Sequence, residues 1–220
     1  MELELIGFDL CPYVHRARIT VLHKNIACNI THINKTKPPA WFHILAPSGK
    51  VPLLRINDNT VIFESAVINE YLNDVSGGGL MPADPVRRAL NRSWIEYSSG
   101  LLSDLKGLIQ AKHNQHFDAA IIGLRAKYAW LEKILDGEPY FDGAALSLVD
   151  FAYAPLFVRT HHLGVDTLLH QHEPFPKIKN WSAALREIPA VNASLGDGFR
   201  AALHTSVRET GAYTAKQLGL

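Results

Sequence analysis

The sequence predicts an α/β unit followed by an all-helical unit, and three observations carry that prediction. Short runs at residues 3–8, 27–33, 51–56 and 60–63 have the length and the apolar or alternating pattern of strands. Segments with apolar residues at helical spacing are interleaved with them, in the order β-α-β-α-β-β-α. Beyond Ser76-Gly77-Gly78-Gly79 the strand signals stop, and one helical pattern follows another. The expected division is 1–75 for the α/β unit, 76–84 for a linker and 85–220 for the helices.

The first strand leads through Asp9-Leu10 into Cys11-Pro12-Tyr13-Val14. Pro12 stands where a first helical residue would stand, since its fixed φ suits a helix and its missing N–H is not needed there. A helical pattern runs on to about Lys24. Cys11 therefore falls at a helix N-terminus, where free N–H groups and the positive dipole end favour an anion. Such positions lower a thiol pKa from about 8.5 to roughly 3.5–7.5, and the thiolate is the nucleophile. Position alone leaves a second reading open, a small buried hydrophobe. The fourth position of the motif is Val14, so the first turn carries no second thiol of a redox pair.

Residues 27–33 alternate, which puts Cys28 with Ile30 on the inward face of a strand, as core. Residues 34–39 are a polar, proline-containing loop, 40–45 a short helix with Trp41 and Phe42, and Pro47-Ser48-Gly49 a turn. Asn57-Asp58-Asn59 makes a hairpin turn between the last two strands. Glu64-Ser65 opens a helix to about Asp74, with Ala66, Ile68, Tyr71 and Leu72 at helical spacing. Asp84-Pro85 is a cap and first residue for a long helix whose apolar series is Leu90, Trp94, Tyr97, Leu101, Leu105 and Leu108. The next helix, about 117–135, is stopped by Gly137 and Pro139. Ser147-Leu148-Val149-Asp150 resembles a capping box and opens a helix apolar nearly all round, hence central. Two more helices are expected over 175–186 and 190–203, and the last 15 or so residues are expected to pack loosely.

Composition excludes several classes of function. Of 220 residues, 47% are hydrophobic and 20% charged, as in an ordinary globular protein with a real core. The net charge of +1, with no long basic block, argues against nucleic acid or an anionic membrane surface as partner. Two cysteines 17 residues apart make no disulfide framework. The acidic start MELELIGFDL lacks the features of a signal peptide, and no run approaches the length of a membrane span. A reducing cytoplasm is the expected compartment.

Three blocks in this order and spacing carry a family resemblance. They are strand–Cys11-Pro12-Tyr13–helix, Ser48-Gly49-Lys50-Val51-Pro52-Leu53-Leu54, and the run from Phe63-Glu64-Ser65 to Tyr71-Leu72, with an all-helical half behind them. From residue 3 to about 203 the chain resembles the glutathione transferase superfamily, and Cys11 resembles its cysteine-type classes (omega-, lambda- and dehydroascorbate-reductase-like, with bacterial relatives). The resemblance implies a thioredoxin-like first domain, a helical-bundle second domain, glutathione as co-substrate and a homodimer formed through the third helix and the long helix. It implies a cis bond at Val51-Pro52, with the Val51 backbone pairing with the cysteinyl part of glutathione. Glu64 and Ser65 would receive the γ-glutamyl ammonium and carboxylate, and Lys50 the glycyl carboxylate. The alternatives are a trans proline at a strand start, an ordinary helix cap and a solvated lysine. Relatives place a lysine three residues before the tryptophan of the second helix, where this chain has Pro38; Lys37 or Lys35 would replace it. Tyr13 would lie beside the tripeptide or be a core aromatic. Arg16 and Arg18 would form a solvated helix face, either adding positive potential near Cys11. A second-substrate pocket would lie between the first and long helices near Tyr97 and Leu101. The implied activity is glutathione-dependent thiol transfer or reduction through a mixed disulfide on Cys11. Alternatives are a non-catalytic binding module, a conjugating transferase and an isomerase.

Eleven histidines suggest metal at His113-x-x-His116, His161-His162 and His170-Gln171-His172, but none lies at a recognised spacing from further ligands, so no metal is expected. His15 shares a helix face with Cys11, as a base would, although a dipole-activated thiolate makes such a base unnecessary.

Overall fold

The computed structural model describes residues 1–57, 60–171, 174–210 and 212–220, and is organised around β1 (Leu3–Gly7). β1 lies inside a mixed sheet of order β2-β1-β3-β4, with β2 (Asn29–His32) parallel to it and β3 (Leu53–Ile56) antiparallel. β4 (Thr60–Phe63) pairs antiparallel with β3, and the expected turn at Asp58 and Asn59 lies outside the described residues. The period of two decides the layers: Leu3, Leu5 and Leu54 pack under α1 (Pro12–His23) and α3 (Ser65–Val75), whereas Ile6 and Leu53 pack on Phe42 of α2 (Ala40–Leu45). Gly7 ends β1 beneath the first turn of α1, where a Cβ would come within 2.4 Å of Val14 Cγ2. A glycine is required there because the helix sits directly on the strand. This is a thioredoxin-like domain, as the resemblance implies.

The second half is α4 (Pro85–Ile109), α5 (Asn114–Ile134), α6 (Leu148–Leu163), α7 (Val165–His170), α8 (Pro176–Arg186), α9 (Pro189–Ala193), α10 (Phe199–Thr210) and α11 (Ala212–Gln217). α6 is the axis, and every residue of it except His161 and His162 is buried. Its start is fixed by the buried carboxylate of Asp150, which accepts from the Ser147 and Phe141 backbone N–H groups, the Ser147 hydroxyl and Trp181 Nε1 at 2.7–3.0 Å. Four donors offset part of the cost of burying that carboxylate, although burial still pushes its pKa above the usual range, and the capping box read from the sequence is complete.

Several expectations are corrected. The stretch 190–203 is not one helix, because positive φ at Gly196 and Gly198 separates α9 from α10. The C-terminal residues do not pack loosely: α11 is tied to α4 by the buried Thr214 hydroxyl, which donates to the Leu108 carbonyl at 2.6 Å. On α4 the inward face runs through Asn91, Ile95 and Ser98 to Leu102, leaving Leu90 exposed. Cys28 is half-buried at the edge of its apolar cluster rather than in the core. No helix among the described residues is long and apolar enough to cross a membrane.

Candidate active site

Cys11 occupies the N-cap of α1, with extended backbone (φ −72°, ψ 120°) and Pro12 as first helical residue. Its own N–H donates to the Phe8 carbonyl at 3.1 Å, and its carbonyl accepts from the His15 N–H at 3.0 Å, so the residue is held from both sides. The backbone N–H groups of Val14 and Tyr13 and the guanidinium groups of Arg159 and Arg16 all favour the anionic sulfur. Burial opposes them and wins: Cys11 is 5% exposed, and its thiol is pushed above the ordinary thiol range. The expected depression is therefore overturned in direction. A helix terminus contributes up to about 2 kcal/mol, whereas full burial is worth about 3–5 pKa units, at about 1.4 kcal/mol each.

Arg16 also differs from expectation. It does not line a solvated face; it is 1% exposed, because α1 is sandwiched between α3 on one side and α6 and α9 on the other. Its Nε donates to the Ala152 carbonyl at 3.1 Å, and its terminal nitrogens donate to the hydroxyls of Ser98 (2.8 Å), Ser99 (3.1 Å) and Ser65 (3.4 Å). Among the described residues no carboxylate is within ion-pair distance, and burial brings its pKa down to about 10. Arg18 is mostly buried as well and pairs with Asp9 at 3.3 Å. His15 is not a base for Cys11: its ring nitrogens engage Ser194 Oγ and Arg159, and burial holds it well below the usual imidazole range.

The other expected residues fall on the same end of the sheet. The Val51–Pro52 bond is cis, and Val51 is half-buried at the start of β3. Glu64 is exposed at φ +67°, a conformation that costs a non-glycine residue about 1–3 kcal/mol and is typical of constrained sites. It caps α3, whose first residue, Ser65, is buried against Arg16. Tyr13 turns away from the sheet toward α4, its hydroxyl 3.5 Å from the Ser99 carbonyl and its ring 5.0 Å from the Arg16 guanidinium carbon. Lys50 and Lys37 are exposed, the latter in a loop organised by Asn34 Oδ1, which accepts from the Thr36 and Lys37 N–H groups. Lys35 instead lies 5.8 Å from the centre of the Phe8 ring. Tyr97 is half-buried on α4, and Leu101 is fully buried in the helical core. The histidine pairs make no metal cluster among the described residues: His113 and His116 stack at 3.8 Å on the surface, and His161 pairs with Asp166 at 3.3 Å. His172 lies outside the described residues.

The model of the glutathione S-transferase N-terminal domain matches residues 10–75, and that of the C-terminal domain residues 114–184. The chain belongs to the glutathione S-transferase family. Its relatives include glutathione S-transferase omega-1 of Sus scrofa, 32% identical over 87% of this chain and 79% of the relative, and omega-2 of Homo sapiens, 28% identical over 89% and 81%. Among solved structures, glutathione transferase Omega 3C from Trametes versicolor shares the fold with a TM-score of 0.82, at 24% identity over 96% of this chain and 92% of that one. A family member from Pseudomonas fluorescens, solved with two glutathione bound, has a TM-score of 0.76 at 18% identity, over 88% and 92%. This is a glutathione transferase-type protein of the cysteine-type, omega-like branch. Within that frame the residues missed from sequence are Arg159, Ser98 and Ser99. A signal existed for the first: Arg159 is the lone cationic side chain among the apolar residues of the central helix.

Proposed function

We propose that the protein is a glutathione-dependent thiol transferase in which Cys11 is the nucleophile. The observation that supports this is the focus of two backbone N–H groups and two buried guanidiniums on one sulfur. The Cys11 thiolate attacks the glutathionyl sulfur of a mixed disulfide, forming a Cys11–glutathione disulfide, and the departing thiolate takes up a proton. A second glutathione thiolate then attacks the glutathionyl sulfur, leaving glutathione disulfide and regenerating the Cys11 thiolate. The Val51 backbone, Glu64 and Ser65 would hold the tripeptide, with Tyr13 beside it and Lys50 and Lys37 supplying positive charge at its glycyl end. Both cysteines are free, so external glutathione is the resolving thiol in this scheme.

A second reading draws on the raised thiol. Cys11 kept as S–H can donate a hydrogen bond to a bound glutathione thiolate, as the hydroxyl of a conjugating transferase does. The two readings separate in one comparison: disulfide reduction and conjugation to an aryl halide, measured in wild type and Cys11→Ser. The first reading requires reduction to disappear in Cys11→Ser; full reductase activity in that variant refutes it. Retention on a glutathione resin, competed off by free glutathione, distinguishes either reading from a non-catalytic binding module. Pairing of two copies through α3 and α4 is proposed on the exposed Val67, Val86 and Leu90, and sedimentation velocity tests it.

A further inference from the structure

Arg159 is buried in α6, yet its hydrogen-bond partners among the described residues are neutral. Nη2 donates to the Leu10 carbonyl at 3.0 Å, and Nη1 donates to the Pro155 carbonyl at 2.9 Å and to His15 Nδ1 at 3.2 Å. Because Nδ1 accepts, His15 carries its proton on Nε2 and donates to Ser194 Oγ at 2.6 Å. The Ser194 hydroxyl in turn donates to the Val191 carbonyl at 2.6 Å. The series thus runs in one direction from α6 through α1 to α9, with every hydrogen placed. The Phe199 ring packs on the guanidinium, 5.3 Å from its carbon.

Such an arrangement is expensive as mere scaffolding. A buried cation without a counter-charge costs several kcal/mol, whereas most other side chains of α6 are apolar and pack in the core. The burial also brings the Arg159 pKa down to about 10, so the group still carries its charge at neutral pH. That charge falls on one reactive atom. The Leu10 carbonyl belongs to the peptide that supplies the N–H of Cys11, and Arg159 is the foremost charge favouring the Cys11 anion. The other ionisable groups acting at Cys11 are Arg16 and Tyr13, both from α1; Glu64 and Glu96 act on Tyr13 in turn.

We propose that Arg159 is a positioning residue for Cys11: from the helical half it grips the Leu10–Cys11 peptide and sets behind the thiol a buried positive charge that no carboxylate among the described residues pairs with. The seating of α6 against α1 then controls how readily the sulfur ionises. The proposal rests on Cys11 being the nucleophile, but its test does not.

The test is the rate of Cys11 alkylation by iodoacetamide against pH, followed on the Cys11 peptide by mass spectrometry in the full chain. Arg159→Gln keeps a donor for the Leu10 carbonyl and loses the charge. Its midpoint should move up, and its rate at pH 8 should fall about tenfold, the effect of one pKa unit. Arg159→Lys keeps the charge and should keep the midpoint. A folded Arg159→Gln variant with the wild-type profile overturns the proposal. Should Arg159→Gln fail to fold, Arg159→Met decides: it has similar length and no charge, suits the apolar surroundings, and should slow alkylation at pH 8 about tenfold. An unchanged profile there refutes the proposal equally. Failure of Cys11→Ser to abolish disulfide reduction would remove the proposed function and leave this ionisation measurement standing.

Discussion

The two cysteines sit on one small domain, are both free and are both pushed up by burial, yet the charges that act on them have opposite sign. Cys11 heads a helix and faces two N–H groups and two guanidiniums. Cys28 precedes β2, donates weakly to the Asn29 carbonyl at 3.5 Å, and has one favourable backbone group, that of Leu5, no guanidinium acting on it, and the Glu4 carboxylate nearby, which disfavours its anion. Exposure alone would rank Cys28, the more open of the two, as the reactive one. Local charge favours the anion at Cys11 and disfavours it at Cys28, and the protein can be interrogated through the contrast.

The largest difference should come from removing each sulfur. Cys11→Ser should cost at least about 100-fold in glutathione-dependent disulfide reduction, since an unionised hydroxyl does not replace a thiolate. Cys28→Ser should stay within about twofold, as expected of a half-buried thiol outside the site. Equal losses in both variants would erase the contrast.

Next comes Gly7→Ala. Its methyl group would fall 2.4 Å from Val14 Cγ2, so α1 must lift from β1. Urea unfolding should register a loss of about 1–3 kcal/mol, and Cys11, on the lifted turn, should change its alkylation profile while Cys28 does not. Unchanged stability would mean that α1 yields more easily than this packing implies.

Glu64→Gln separates binding from reactivity. It should raise the KM for glutathione about tenfold through loss of a charged partner for the γ-glutamyl ammonium, and leave Cys11 alkylation at wild-type rate. A changed alkylation rate would show that Glu64 acts on the sulfur itself.

The smallest effect is at the other cysteine. Glu4→Gln removes a charge that disfavours the Cys28 anion, so Cys28 should alkylate about two- to threefold faster at pH 8 with Cys11 untouched. For both thiols the sign is the same: burial favours the neutral form. Rates in wild type should therefore rise about tenfold per pH unit from pH 7 to 8.5 without levelling. A plateau near pH 7 for Cys11 would mean that the N–H groups and guanidiniums outweigh burial.

The sequence made the frame of this site legible because its signals are local. A cysteine followed by proline marks a helix start, Glu64-Ser65 marks another, and periods of two and 3.6 separate the sheet from the helices. What it hid depends on partners far along the chain. Arg16 reads as solvent-facing by residue type, but serines 82 and 83 residues away and a carbonyl 136 away enclose it. His15 reads as a base for Cys11 on the same face, until Arg159 and Ser194 occupy its ring. The ionisation of Cys11 is hidden for the same reason: a helix dipole can be read from sequence, whereas burial is set by α3, α6 and the sheet together. The docking of α11 likewise depends on where α4 stands.

The most direct test of the account is to incubate the protein with glutathione disulfide, quench with acid and map any glutathionyl adduct by mass spectrometry. The account predicts one glutathionyl group on the Cys11 peptide, removed by added glutathione and absent from Cys11→Ser. An adduct confined to Cys28, or a wild-type protein that reduces disulfides while Cys11 never carries one, would contradict it.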